Sequence, residues 1–207
     1  MFKNNWDKIY TGLRNKKIVY DDWLDDYKEI IANCTTPVLD LGCGCGNNSL
    51  YLTKQGIKVI ACDYSTAALE IVKKNMPEVE TKCFDISHPL PFENNTFELI
   101  IADLSLHYFY SQTTKNILNE IKRILKPNGV LLARVNSIYD INYGAKKGEL
   151  LENNYYFVNG HNKRFFSLED AKEYFSLIGN TEIKEDDMNR YEMPKKVIVI
   201  KAQNINH

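Results

Sequence analysis

The chain has 207 residues, 26 of them basic and 27 acidic, so no overall positive field is present to gather nucleic acid or anionic lipid, and neither partner is expected. No apolar run approaches the roughly 18 residues of a membrane span, and the first residues lack the apolar stretch of a secretory signal, so a cytoplasmic location is expected. Five cysteines make an odd set, and Cys43-x-Cys45 lacks both the spacing and the second ligand pair of a structural zinc site, so no metal is expected.

In chain order, Trp6 and Tyr10 precede a stretch in which Tyr20, Leu24, Tyr27, Ile30 and Ile31 recur at helical spacing, with Asp21, Asp22, Asp25 and Asp26 as a solvated face. An apolar strand, Val38-Leu39-Asp40-Leu41, then passes through Gly42-Cys43-Gly44-Cys45-Gly46 into a helix over residues 47–55. Alternate glycines allow close backbone approach and positive φ, and the following helix offers unbonded N–H groups and a positive dipole end, so this joint reads as a nucleotide-cofactor loop. A second apolar run ends at Asp63, about twenty residues beyond Gly42, where an acid can accept from both hydroxyls of a ribose. The dinucleotide fingerprint would require glycine at the position of Asn47, which argues against NAD.

Further helices are expected over 65–75, 113–125 and 167–177, with Ser65 and Ser167 as N-caps, and the last two strands over 181–187 and 196–202. Residues 137–167 form a long connection rich in tyrosine and asparagine. Asn159-Gly160 inside it reads as the turn of a hairpin, either packed as decoration or serving as a substrate cover. Alternating strand and helix signals without repeats give an α/β chain.

The run Asp40-Leu41-Gly42-Cys43-Gly44-Cys45-Gly46 resembles the first loop of the class I S-adenosylmethionine-dependent methyltransferases, including methyltransferase types 11 and 12. Later landmarks follow in order: Asp85 after the third strand, Pro91-Phe92 before the fourth, and Leu125-Lys126-Pro127-Asn128-Gly129 before the fifth. The resemblance covers residues 37–136 and implies a Rossmann-like, doubly wound, seven-stranded sheet, mostly parallel with the last strand antiparallel and helices on both faces. It implies a single methyltransferase domain over 1–207, divided into an N-terminal lid and helix (1–33), a cofactor-binding core (34–136), a substrate-side insertion (137–167) and a C-terminal helix and hairpin (168–207). The cofactor implied is S-adenosylmethionine, released as S-adenosylhomocysteine.

Carried onto this sequence, the resemblance places Gly42, Cys43, Gly44, Asn47 and Asn48 along the cofactor, Asp63 on its ribose, and Tyr64 and Ser65 beside adenine. Asp40 contacts the methionine amino end or braces the loop. Asp85 takes the adenine amino group, with Ile86 offering apolar contact, or else caps a turn. Asp103, Leu104 and Ser105 line the methionine end. Trp6 and Tyr10 resemble an aromatic lid of small-molecule members such as the tellurite-resistance branch, although Trp6 as a hydrophobic staple is the alternative. On the acceptor side stand Tyr108, Arg134, Asn136, His161 and Arg164, with His107 either a general base or scaffold.

Three functions remain open on these residues. A small-molecule methyltransferase leads, a protein-lysine methyltransferase is second, and a silent S-adenosylmethionine-binding module is third. Asp103-Leu104-Ser105-Leu106 stands where many base methylators carry an Asn-Pro-Pro-Tyr motif, which argues against a nucleic-acid base as acceptor.

Overall fold

The computed structural model describes residues 2–205, with side chains from Trp6 onward. Seven strands form one sheet: β1 (Val38–Leu41), β2 (Val59–Asp63), β3 (Glu80–Cys83), β4 (Phe97–Asp103), β5 (Leu125–Asn136), β9 (Gly179–Met188) and β10 (Lys195–Asn204), in the order β3-β2-β1-β4-β5-β10-β9. Strands β1 to β5 pair in parallel, and β10 is inserted antiparallel between β5 and β9. The order reverses between β1 and β4, so the loops after these two strands open a crevice at the carboxyl edge, where ligands of open α/β sheets bind.

Strand alternation decides the two faces. Leu39, Leu41, Ile100, Ala102, Leu131, Ala133 and Val135 point towards α5 (Ser111–Ile124) and α6 (Leu168–Phe175), where Ile117, Leu118, Ile121 and Phe175 complete a buried layer. Val38, Leu99, Ile101, Val130 and Leu132 point the other way, towards α3 (Asn47–Lys54) and α4 (Thr66–Asn75), meeting Leu52, Leu69 and Val72. Arg134 and Asn136 continue this second face towards the crevice. Ser65 accepts from the Ala68 N–H, and Ser167 forms a capping box with Asp170, so both expected caps are present.

Two regions depart from the sequence reading. A continuous helix through Tyr20 to Ile31 is replaced by a 3-10 turn, Trp23–Tyr27, and a short α2, Lys28–Ala32, while a separate α1, Phe2–Thr11, precedes them. The cause is long-range. Tyr20 packs on Tyr51, Asp25 accepts from the Tyr51 hydroxyl at 2.7 Å, and Asp21 is drawn in to pair with Arg134, while Asp22, Asp25 and Asp26 stay exposed as expected. The second departure is in the insertion. It folds as a three-stranded antiparallel sheet, β6 (Glu149–Glu152), β7 (Tyr155–Val158) and β8 (His161–Arg164), with the expected turn at Asn159 (φ 53°) and Gly160 (φ 77°) joining the last two.

This small sheet is fastened to the turn after β4: the Arg164 N–H donates to the His107 carbonyl at 2.7 Å, and the Tyr155 hydroxyl donates to the Tyr108 carbonyl at 2.8 Å. It therefore stands at the carboxyl edge. Among the described residues no helix is long and apolar enough to cross a membrane.

Candidate active site

The glycine loop is shaped by what approaches it. Gly42 has φ +77°, and a Cβ there would lie 2.4 Å from Ser105 Cβ, so glycine is needed for the loop after β4 to close onto the loop after β1. The Ser105 hydroxyl secures that approach by donating to the Leu41 carbonyl at 2.8 Å, and so braces the loop rather than facing the crevice. Gly46, at φ +86°, starts α3, whose first N–H groups face the same crevice.

Asp63, at the end of β2, accepts from the Gly44 and Ser65 N–H groups, both at 2.8 Å, which holds the loop and the start of α4 together. Asp40 is buried; its Oδ2 accepts from the Ser49 hydroxyl at 2.6 Å, and its Oδ1 has no partner among the described residues. Burial raises the Asp40 carboxyl to about 7, against the lowering effect of the Ser49 hydrogen bond. An unbonded buried carboxylate oxygen below a loop whose Gly44 has no side chain suits a ligand that brings an ammonium group. Asp85 accepts from the Ser87 N–H and hydroxyl at 2.9 and 2.7 Å through Oδ1, while Oδ2 faces His88 Nδ1 at 3.8 Å, so it caps its own turn. Ile86 is buried beside it, and Tyr64 follows Asp63 at half-burial.

Helix α1 lies over this loop. Asp7 accepts from the Ser65 hydroxyl at 2.5 Å and from the Ala67 N–H at 3.3 Å, docking α1 on the start of α4, a contact no local sequence signal announces. The Tyr10 hydroxyl lies 3.0 Å from the point where a Gly44 Cβ would stand. Trp6 stacks on Tyr10 with ring centroids 5.8 Å apart, and meets Tyr108 edge-on at 5.2 Å and His161 at 5.0 Å. Four rings from α1, the β4 turn and β8 thus gather over the crevice, Tyr10 against the glycine loop and Tyr108 and His161 beyond it, and Trp6 serves as more than a local staple.

A profile described as a methyltransferase domain matches residues 38–129, the stretch containing the glycine loop, Asp63 and Asp85. Curated relatives include the tRNA N(3)-cytidine methyltransferase METTL2 of Gallus gallus, 29% identical over 71% of this chain and 43% of the relative, and METTL2B of Homo sapiens, 30% identical over 72% and 43%. The chain thus spans less than half the length of these relatives. Among solved structures, the 1,6-didemethyltoxoflavin-N1-methyltransferase of Burkholderia thailandensis, seen with S-adenosylhomocysteine, shares the fold at a TM-score of 0.69 and 19% identity, covering 99% of this chain and 88% of that one. Residues 38–129 are thus a methyltransferase domain, set in the fold of the class I S-adenosylmethionine-dependent methyltransferases. The relatives named for tRNA overturn the expectation that nucleic acid plays no part. Net charge misled because a balanced total does not report on local recognition; the acids Asp21, Asp26, Asp186 and Asp187 are each paired with an Arg or Lys.

Several side chains expected to meet ligand are committed elsewhere in the fold. Asn47 donates to the Val19 carbonyl; Asn48 accepts from Trp23 Nε1 at 3.0 Å, and its amide lies 3.4 Å from Asp103, so both tether the segment around Trp23. Asp103 is gripped by Arg134, with two contacts of 2.8 Å, and by Arg190 at 3.0 Å. Burial alone would raise its carboxyl, but the Arg134 and Arg190 charges prevail and hold it well below the usual carboxylate range. Leu104 follows at φ +56°, a left-handed conformation that turns the chain out of β4.

Arg134 was expected on the acceptor side, facing an anionic or polar substrate. Instead it bonds Asp103 and Asp21 and lies against the Trp23 ring at 4.4 Å, with its side chain buried. Arg164 is likewise engaged: it pairs with Glu152, donates to the Asn153 carbonyl at 3.0 Å, and sits over the Tyr155 ring at 4.8 Å. His107 does not have the setting of a neutral-pH base, since burial, then the Lys195 and Lys163 charges, push its imidazole well below its ordinary value. Arg190 and Lys195 were not anticipated; both come from the β9–β10 hairpin, brought in by pairing remote in sequence from the glycine loop.

Proposed function

We propose that the chain transfers a methyl group from S-adenosylmethionine to a ring nitrogen of cytidine in RNA, with tRNA as the substrate class. The observation that carries this reading is the likeness to tRNA N(3)-cytidine methyltransferases over 71–72% of the chain, which extends beyond the cofactor loops common to the family. When bound, S-adenosylmethionine supplies a methyl already activated by its positive sulfur, so an acceptor nitrogen with a free lone pair takes it by in-line displacement without prior proton transfer.

The residues suit that chemistry. Asp63 is positioned to take the ribose hydroxyls, exchanging part of its hold on the loop, and Asp40 Oδ1 to take the amino end. Trp6, Tyr108 and His161 offer flat faces on which an extruded base can stack, and aromatic faces favour the positive charge passed from sulfur to base, at about 0.5–2 kcal/mol. A neutral His107 is then no defect, because N3 of cytosine needs no base, and an amine-methylator motif is not required at Asp103–Leu106. Positioning in a dry crevice can supply roughly 7–11 kcal/mol of the barrier.

Incubation with methyl-tritiated S-adenosylmethionine and total tRNA, a protein extract or a metabolite panel tests the reading. Label is expected in tRNA, and in 3-methylcytidine after nucleoside digestion. Label confined to protein or metabolites overturns it.

A further inference from the structure

Beside the acceptor end, two buried polar side chains are left without partners. Asn136 is 1% exposed, and neither its Oδ1 nor its Nδ2 is bonded among the described residues; His107, at 2%, has an unbonded Nδ1. Both residues sit against one short segment, the His107 carbonyl accepting from Arg164 N–H at 2.7 Å and the Asn136 carbonyl from Phe166 N–H at 2.8 Å. Buried amides and imidazoles are ordinarily satisfied, so these two orphans call for a ligand. The register locates them. Asn136 stands on the β5 face that carries Arg134, opposite Val197 of β10, and Lys195 lies two residues along β10 on that same face. His107 leaves the strand on the other side of β5, and the charges it feels are Lys195, Lys163 and Asp103.

The two lysines differ. Lys195 is matched, 2.6 Å from Asp140 and 4.6 Å from the Tyr143 ring. Lys163, on β8 above them, is half-buried and makes no side-chain hydrogen bond or ion pair among the described residues. A carboxamide and a neutral imidazole can each donate or accept, which fits the mixed edge of a pyrimidine, and an unmatched ammonium fits an anionic oxygen. A phosphate and a base edge within one small space are what a nucleotide offers.

We propose that Asn136 and His107 receive the edge of the acceptor base and Lys163 the phosphate of the same nucleotide, forming a mononucleotide subsite. The proposal rests on the RNA reading above and names the residues that would hold its substrate.

The full chain saturated with S-adenosylhomocysteine is titrated calorimetrically with cytidine 5′-monophosphate, cytidine and ribose 5-phosphate. The monophosphate is expected to bind at least about tenfold tighter than either fragment. Asn136→Leu, close in volume, is expected to reduce its affinity to that of ribose 5-phosphate, and Lys163→Ala to that of cytidine, with S-adenosylhomocysteine affinity kept in both. Because Asn136→Leu deletes two unbonded groups, the ligand-free variant should melt no lower than the parent. Monophosphate binding unchanged in Asn136→Leu overturns the proposal, as does a lower melting temperature with tRNA methylation intact, which would make Asn136 scaffold. If the parent methylates no tRNA but shows this binding pattern, the RNA reading falls and the subsite stands. If Asn136→Leu methylates tRNA at the parent rate, the subsite falls and the reading stands.

Discussion

From Asp40 to Ser65 the cofactor side of the crevice is largely bonded before any ligand arrives: Asp63 holds Gly44 and Ser65, Ser49 holds Asp40, and Ser105 holds Leu41. The acceptor side, from Asn136 and His107 to Lys163, combines a tightly paired outer ring with an interior whose polar groups wait. The difference teaches that a loop common to many relatives is prefolded by bonds among its own elements, with Asp40 Oδ1 left over, whereas the proposed acceptor side carries most of the unsatisfied groups inside a frame of ion pairs.

The frame offers the largest break. Arg134→Met strips Asp21 of its closest cation and leaves Asp103 with Arg190 alone, and breaking a buried pair costs about 3–5 kcal/mol. The melting temperature is expected to fall by roughly 6–20 °C; a shift under about 2 °C would mean the frame carries no strain between the two sides.

Asp40 comes next and sharpens the contrast through pH. Its folded-state carboxyl sits at about 7, above the roughly 4 of an unfolded aspartate, so its contribution is fully present below pH 4 and is lost as pH rises through 7. Three units correspond to at most about 4 kcal/mol. Thermal unfolding without ligand, followed from pH 4 to 8, should show the parent losing stability relative to Asp40→Asn across that window. Parallel curves would mean that Asp40 is ionised throughout. Asp103 does not blur this window, because its depressed carboxyl loses stabilisation only on the acid side of the ordinary carboxylate range.

Asp63→Ala tests the cofactor side directly. Hydrogen bonds to a charged acceptor are worth roughly 1.5–3 kcal/mol, so calorimetry should record a tenfold to hundredfold or greater loss of S-adenosylmethionine affinity. An unchanged dissociation constant in a folded variant would put the ribose contact elsewhere. The smallest effect is expected at the joint between the two sides: Trp6→Ala, losing one aromatic face worth about 0.5–1 kcal/mol, should weaken the cofactor about two- to fivefold. Full affinity in that variant would leave Trp6 a packing residue of α1.

What sequence made legible was local. The glycine spacing, the caps at Ser65 and Ser167 and the Asn159-Gly160 turn each depend on a few neighbouring residues, and each is found where expected. The resemblance also implied the seven-stranded, mostly parallel sheet with its last strand antiparallel. Contacts between remote residues were not legible. Arg134 and Asp21 are 113 positions apart, and neither residue announces the other, so Arg134 read as a free cation and Asp21 as a solvated acid. The third strand of the insertion was missed for a related reason: Glu149–Glu152 lacks the aromatic run that marked its neighbour and acquires strand form by pairing with it. The expectation of no nucleic-acid partner failed because a sum of charges says nothing of local recognition.

The position of α1 has a consequence in time. With Trp6 against Tyr108 and His161 and Tyr10 over Gly44, one short helix spans both halves of the crevice. Under the proposed function, a donor entering beneath Tyr10 would displace that helix, and its return would cover the donor while presenting rings to the acceptor. Binding is therefore expected to be ordered, donor first and acceptor second, with the spent donor leaving only after the methylated chain. Residence of that spent donor, rather than the methyl transfer itself, is then the natural limit on each cycle.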